Sequence, residues 1–360
     1  MRGSPHCGFG LAIVTMAWVA AGCCGGGHAA ERQSLPVIRK AEFKEVEVAP
    51  KLTWPFGFED SAGMRILVST DSGTFHLYDL KASESGEVGL VLHKTIKLPS
   101  ANGAAILAMT PDGKSVVGSD KFNLFLWDTK SGQLTDKIAT NDIFVEAMEG
   151  SGEWVTQLAF RNDTTLAVQS MLQGVSEVSL KNGKFVRPST KEPKNSDYAT
   201  VREIRLFESN SGDGAHTINQ GVVTHMPADA SEPHRVIEQK VTIPMYADFQ
   251  GKEFTIVGAD GSIVRGDAFG SELSARTKFP SMNMRGAAMI QDHVLVWSEN
   301  EIFHYDGKKV SQIYADVNKD IASLLVLDGQ ILLSLISGEV LVAEFPGDSS
   351  RSVARDSSNK

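Results

Sequence analysis

Four short apolar runs separated by turn residues fill positions 104–138, and they constrain the fold more than any other stretch of the chain. The run AAILAMT meets Pro111-Asp112-Gly113-Lys114. Proline pre-sets φ, aspartate bonds the backbone two residues on, and glycine accepts positive φ, so this tetrapeptide predicts a tight turn. A second run, Ser115 to Ser119, leads through a short loop to Leu124-Phe125-Leu126-Trp127-Asp128. Lys130-Ser131-Gly132 then turns the chain into a fourth run. Strands this short, with no room for helices between them, pair as one antiparallel meander.

The pattern recurs. Residues 64–80, 155–181, 245–267, 287–306 and 322–345 each carry apolar runs broken by turn residues, the third-blade stretch 155–181 with a longer central loop expected. The third run of each unit ends near Asp79, Asp128, Lys181, Asp267, Asp306 and Phe345, spaced by 49, 53, 86, 39 and 39 residues. The interval of 86 is two units long, so a further unit is expected between Lys181 and Asp267, with its mark near His225. Trp127-Asp128, with its relatives Tyr78-Asp79 and Tyr305-Asp306, resembles the signature of the WD-repeat family. The Gly-His pair that usually precedes the first strand is missing. The resemblance implies an all-β, seven-bladed β-propeller of four-stranded antiparallel blades, and it assigns Asp112, Gly113, Asp120, Trp127 and Asp128 to blade packing. The final unit has three strands only. Phe43-Lys44-Glu45-Val46-Glu47-Val48 alternates apolar and charged residues and is expected to close that blade as its outer strand.

The N-terminus reads as a targeting segment. One positive charge, Arg2, precedes the apolar stretch Phe9 to Ala21. Ala20-Ala21-Gly22-Cys23 resembles a bacterial lipobox, which implies lipidation at Cys23; cleavage after Ala21 by the small-residue rule gives a soluble periplasmic or secreted protein instead. The expected organisation is a signal peptide over 1–22, a lipid-anchored Gly-rich tether over 23–36, the propeller over 37–346 and a polar tail over 347–360. All three cysteines, Cys7, Cys23 and Cys24, lie in or beside the leader, so the ring has no thiol for a disulfide, a nucleophile or a metal. A net charge of −9 argues against nucleic acid, which selects a basic face.

Chemical motifs are sparse. AMTPDGKS at 108–115 satisfies a loose phosphate-loop pattern, but a hairpin turn presents no helix N-terminus to a phosphate, and no nucleotide is expected. Asp316-Val317-Asn318-Lys319-Asp320 begins like a calcium loop, yet Ile321 and Leu327 stand where glycine and a bidentate glutamate belong. Ser69 to Phe75 reads as a hairpin with a single Asp-box-like turn. His216, His225 and His234 recur at intervals of nine; they suit either surface positions or a zinc site built across one blade, and the plain reading, with no metal and no cofactor, is preferred.

The resemblance places inter-blade connections and the loops between second and third strands on one face. That face receives Trp54, Phe56 and Phe58, then Ile143, Phe144 and Trp154, then Phe279, Met282 and Met284. Aromatics and methionine anchor protein interfaces, though such loops also plug a propeller channel. Trp54, Phe56, Phe58, Phe144, Met282 and Met284 are therefore the candidate partner-binding residues. The expected function is a non-catalytic protein-interaction scaffold, with protein partners on the loop face and a lipid anchor in a bacterial envelope membrane. A propeller hydrolase with its site at the channel mouth and a sugar- or peptide-binding sensor are the alternatives.

Overall fold

The computed structural model describes residues 41–46, 48–49, 57–69, 73–82, 88–99, 106–144, 154–187, 205–208, 213–219, 222–229, 231–238, 244–250, 253–267, 273–280, 283–290, 293–327 and 329–345, all within the compact unit Leu35–Lys360. The expected leader, tether and polar tail lie outside the described residues, as does Cys23.

Two short strands, β1 (Lys44–Val46) and β2 (Val48–Ala49), come first. Blade 1 follows as β3 (Gly57–Ala62), β4 (Arg65–Ser69), β5 (Thr74–Ala82) and β6 (Val88–Lys97). Blade 2 is β7 (Ile106–Met109), β8 (Ser115–Ser119), β9 (Asn123–Asp128) and β10 (Leu134–Ala139); blade 3 is β11 (Val155–Asn162), β12 (Thr165–Ser170), β13 (Gly174–Lys181) and β14 (Lys184–Val186). Blade 4 is β15 (Arg205–Glu208), β16 (Gly214–Asn219), β17 (Val222–Pro227) and β18 (Arg235–Glu238). Blade 5 is β19 (Pro244–Gln250), β20 (Glu253–Gly258), β21 (Ser262–Asp267) and β22 (Leu273–Lys278); blade 6 is β23 (Gly286–Ile290), β24 (His293–Trp297), β25 (Glu301–Tyr305) and β26 (Val310–Ala315). Blade 7 is β27 (Ile321–Leu327), β28 (Gln330–Leu335) and β29 (Val340–Glu344), completed by β1. Each blade is an antiparallel meander in chain order, and the only helical turn among the described residues is Thr140–Asp142.

The ring closes because each blade is apolar on both faces. Among the described residues there are seven separate apolar clusters, one between each pair of consecutive blades. Between blades 1 and 2, for instance, Leu67, Phe75 and Leu77 meet Met109, Val116 and Trp127. Innermost strands touch in cyclic order, β27 to β3, β3 to β7, β7 to β11, β11 to β15, β19 to β23 and β23 to β27. Between blades 4 and 5 the contact runs through β16 and β19.

A repeated device ties these inner strands together. β3, β11, β19 and β27 carry a register shift just before Asp60, Gln157, Tyr246 and Ser323. A bulge re-aims the next side chain. Asp60 accepts the Met109 N–H at 2.7 Å, Gln157 the Leu206 N–H at 2.6 Å and Ser323 the Phe58 N–H at 2.8 Å, each from the following blade. Tyr246 instead packs its ring edge-on against Phe207 of blade 4, centroids 5.7 Å apart.

Ring closure engages more of the chain than one strand. β1 pairs antiparallel with β29, Val46 opposite Val340, as the alternating pattern of 43–48 predicts. The segment does not stay on blade 7: β2 pairs in parallel with β6 of blade 1, Val48 opposite Leu90. Upstream, the Ala41 N–H bonds the Ile313 carbonyl of blade 6, and Phe43 packs edge-on against Tyr314 at 5.0 Å. Residues 41–49 thus strap blades 6, 7 and 1.

One detail differs from expectation. The third blade has no long central loop. β12 and β13 pair along their whole length, from Thr165 opposite Ser179 to Ser170 opposite Gly174, and positive φ at Gly174 lets three residues make the turn. As the spacing predicts, the polar fourth unit forms a complete four-stranded blade, and its third strand contains His225.

Candidate interaction surface

The blade-motif residues are turn and packing groups. The Asp112 carboxylate accepts from Thr110 Oγ1 at 2.8 Å and from the Lys114 N–H at 3.0 Å, while Gly113 takes φ +68. Its own hydrogen bonds with Lys114 and Thr110 hold the Asp112 carboxyl below the usual carboxylate range against the opposing effect of burial, the largest single influence. Asp120 accepts the Phe122 and Asn123 N–H groups, and Asp128 accepts the Ser131 N–H and hydroxyl. Trp127 is buried, edge-on to Phe75 at 5.2 Å. Asp316 likewise caps its own turn through the Asn318 N–H at 3.0 Å.

The proposed rim residues divide. Trp54, Phe56 and Met282 lie outside the described residues. Phe58 is half-buried in β3 and packs into the cluster between blades 7 and 1. Met284 is half-buried against the cluster between blades 5 and 6, which also takes Phe279. Phe144, 3% exposed, is a correction: the helical turn at 140–142 folds it and Ile143 inward between blades 2 and 3, where burial of apolar surface outweighs display. These rings hold blades together.

A different set of side chains remains on that face. Trp154 is 45% exposed and Phe122 42% exposed; their rings meet edge-on at 5.9 Å, and the Lys121 ammonium sits 5.1 Å from the Trp154 ring centre. Lys121 and Phe122 occupy the turn between the second and third strands of blade 2, and Trp154 leads into blade 3. Backbone bonds fix this junction. The Lys121 carbonyl accepts the Val155 N–H, the Phe122 carbonyl accepts the Thr140 N–H, and the Trp154 carbonyl accepts the Met171 N–H, all at 2.8–2.9 Å. Half-buried Met171 and Leu172 continue the surface on blade 3. Sequence reading reached Trp154 but not Phe122. The available signal was a bulky apolar residue inside an Asp-Lys-Phe turn, where polar residues or glycine usually stand.

The three histidines do not form one site. His216 and His225 face each other across β16 and β17 and are both buried, which corrects the surface reading. They lie in an aromatic layer between blades 4 and 5. Phe249 stacks on His225 at 4.1 Å and Phe207 on His216 at 5.4 Å. Neither ring nitrogen of His216 makes a hydrogen bond of normal geometry, although the Ala247 backbone lies near enough to offset burial slightly. Burial, then His225, pushes His216 down to about 3; burial, then Arg235, pushes His225 down to about 4. His234 points elsewhere, 3.8 Å from Glu177 of blade 3. Among the described residues no group of three or more His, Cys, Asp or Glu side chains is arranged to hold a metal ion, and no helix is long and apolar enough to cross a membrane.

Seven four-stranded blades around one axis, with polar turns and an aromatic patch on the loop face, define a β-propeller. The β-propeller domain of Cps50 (Swd1) from Myceliophteria thermophila superposes with a TM-score of 0.55 at 12% identity, over 81% of this chain and 99% of that one. The likeness supports a WD40-like seven-bladed fold. No family model and no curated protein matches the chain.

Proposed function

We propose that this propeller is a non-catalytic interaction scaffold, exported and held at a bacterial envelope membrane through a lipid on Cys23, that presents its loop face to protein partners. The observation that carries the reading is the exposed Phe122–Trp154 pair on a face where the other described aromatics, Phe58, Phe144 and Phe279, pack between blades. Tryptophan and its aromatic neighbours supply large contact area at low conformational cost, the composition of interface anchors. A closed ring of short strands is a rigid platform for them. The leader and the cysteine placement support the location.

Crosslinking and mass spectrometry on intact envelopes, with a photo-reactive residue at position 122, test the scaffold. A protein crosslinked reproducibly at 122, and lost when Trp154 is replaced by Ala without a fall in melting temperature, is the expected result. Labelling with palmitate analogues, abolished by Cys23→Ser, tests the anchor separately.

A further inference from the structure

The geometry points to an acidic segment of a protein partner, one bearing carboxylates beside apolar side chains, as the occupant of the Lys121–Phe122–Trp154 surface. This inference rests on the scaffold reading and specifies the partner's chemistry.

Lys121 carries the argument. It is one of two non-glycine residues with positive φ among the described residues, at +87. A side chain in that backbone region is strained, and glycine relieves the strain at no steric cost. The same turn would form with glycine, because its bonds are made by other groups: Ser119 Oγ accepts the Lys121 N–H at 3.1 Å and Asp120 accepts the two N–H groups that follow. The lysine side chain is therefore not needed to make the turn. What it does is hold an ammonium over the exposed tryptophan.

That ammonium has no carboxylate partner among the described residues. Asp120, its neighbour, directs its oxygens to the Phe122 and Asn123 N–H groups and to Asn123 Nδ2. Lys121 is thus a half-buried cation over an exposed tryptophan, with no ion pair among the described residues, on a chain of net charge −9. Such an ammonium attracts a carboxylate and disfavours further cations, while the exposed rings take apolar side chains beside it. The Trp154 face already covered by Lys121 is closed to stacking by a sugar.

The test is fluorescence polarisation on the purified full-length chain with two labelled dodecapeptides, one alternating Glu and Leu, the other Gln and Leu. The Glu peptide is expected to bind more tightly, by about tenfold or more, and to weaken as salt rises. Lys121→Gly should remove that preference while leaving the melting temperature unchanged or slightly higher, since the strain is relieved. Phe122→Ser should weaken both peptides. Equal binding of the two peptides, no binding of either, or an undiminished Glu preference in Lys121→Gly overturns the inference. So does quenching of tryptophan fluorescence by maltohexaose but by neither peptide. A protein crosslinked at position 122 while both peptides fail leaves the scaffold standing and removes only the acidic partner; failure of the crosslink removes the scaffold.

Discussion

Buried imidazoles make the residue scale sensitive to acid. His216, His225 and His304 all sit below the ordinary histidine value, at about 3, 4 and 4, in each case chiefly because burial disfavours the cation. His304 also bonds His293, Nε2 to Nδ1 at 2.8 Å, so a second charge there would oppose the first. In the unfolded chain these rings take up protons near 6.5, whereas in the fold they stay neutral to about 4 or below. The unfolded state therefore binds more protons across that window. Their contribution to stability is complete above about pH 6.5 and is lost as pH falls toward 4. Urea titrations from pH 7.5 to 4.5 should show the loss, on the order of a few kcal/mol in total. His225→Phe, which keeps the stack on Phe249, should flatten the profile; an unchanged slope would contradict the assignment.

Arg161 is the other decisive side chain. Among the described residues, the interface between blades 3 and 4 holds the smallest apolar cluster, three of whose five buried members are Ala159, Ala167 and Ala215. Buried Arg161 compensates. Its guanidinium forks onto Glu177 at 2.9 and 3.2 Å and donates to the carbonyls of Pro227, Asp229 and Glu232 in the far turn of blade 4. Arg161→Ala leaves a carboxylate and three carbonyls short of a donor and should cost about 3 kcal/mol by chemical denaturation. Glu177 is partly in water, so Glu177→Gln should cost less than half as much.

Among elements, the strap of residues 41–49 shows what sequence patterning does and does not convey. The alternation in Phe43–Val48 was enough to identify an outer strand for the incomplete blade. It could not indicate that the chain leaves blade 7 after three paired residues, because β2 is fixed by a parallel neighbour more than forty residues away in sequence. The burial pattern gives a direct test. Val46 is buried against blades 7 and 1, while Lys44 and Glu45 face water. Val46→Asp buries an unpaired carboxylate and should cost about 3 kcal/mol or more, or abolish the cooperative transition; Glu45→Ala should stay within about 0.5 kcal/mol. Scanning calorimetry of the two variants would separate strap from surface. Turn chemistry was legible throughout for a local reason. Asp112, Asp128, Asp260 and Asp306 each bond groups two or three residues ahead, so the sequence contains both partners.

For the whole molecule, blade count and the order of blades around the ring followed from the chain alone, since each blade is built mainly from consecutive residues and its hairpins are local. The candidate site was legible only in part. Trp54-Pro55-Phe56 and Asn141-Asp142-Ile143-Phe144 look alike as aromatic loops, yet Phe144 turns inward and Trp154, ten residues on, stays out. Which ring is buried depends on whether a neighbouring blade offers an apolar cleft, and that is a property of packing between units far apart in the chain. The pairing of Phe122 with Trp154, the seating of the Lys121 ammonium over Trp154 and the layer that buries His216 arise the same way. Local sequence determines what pairs within a blade, through turns and alternation that act over a few residues. Exposure, charge pairing and hence the surface offered to a partner are decided only when seven blades press together, because burial is a sum over every neighbour the ring brings near.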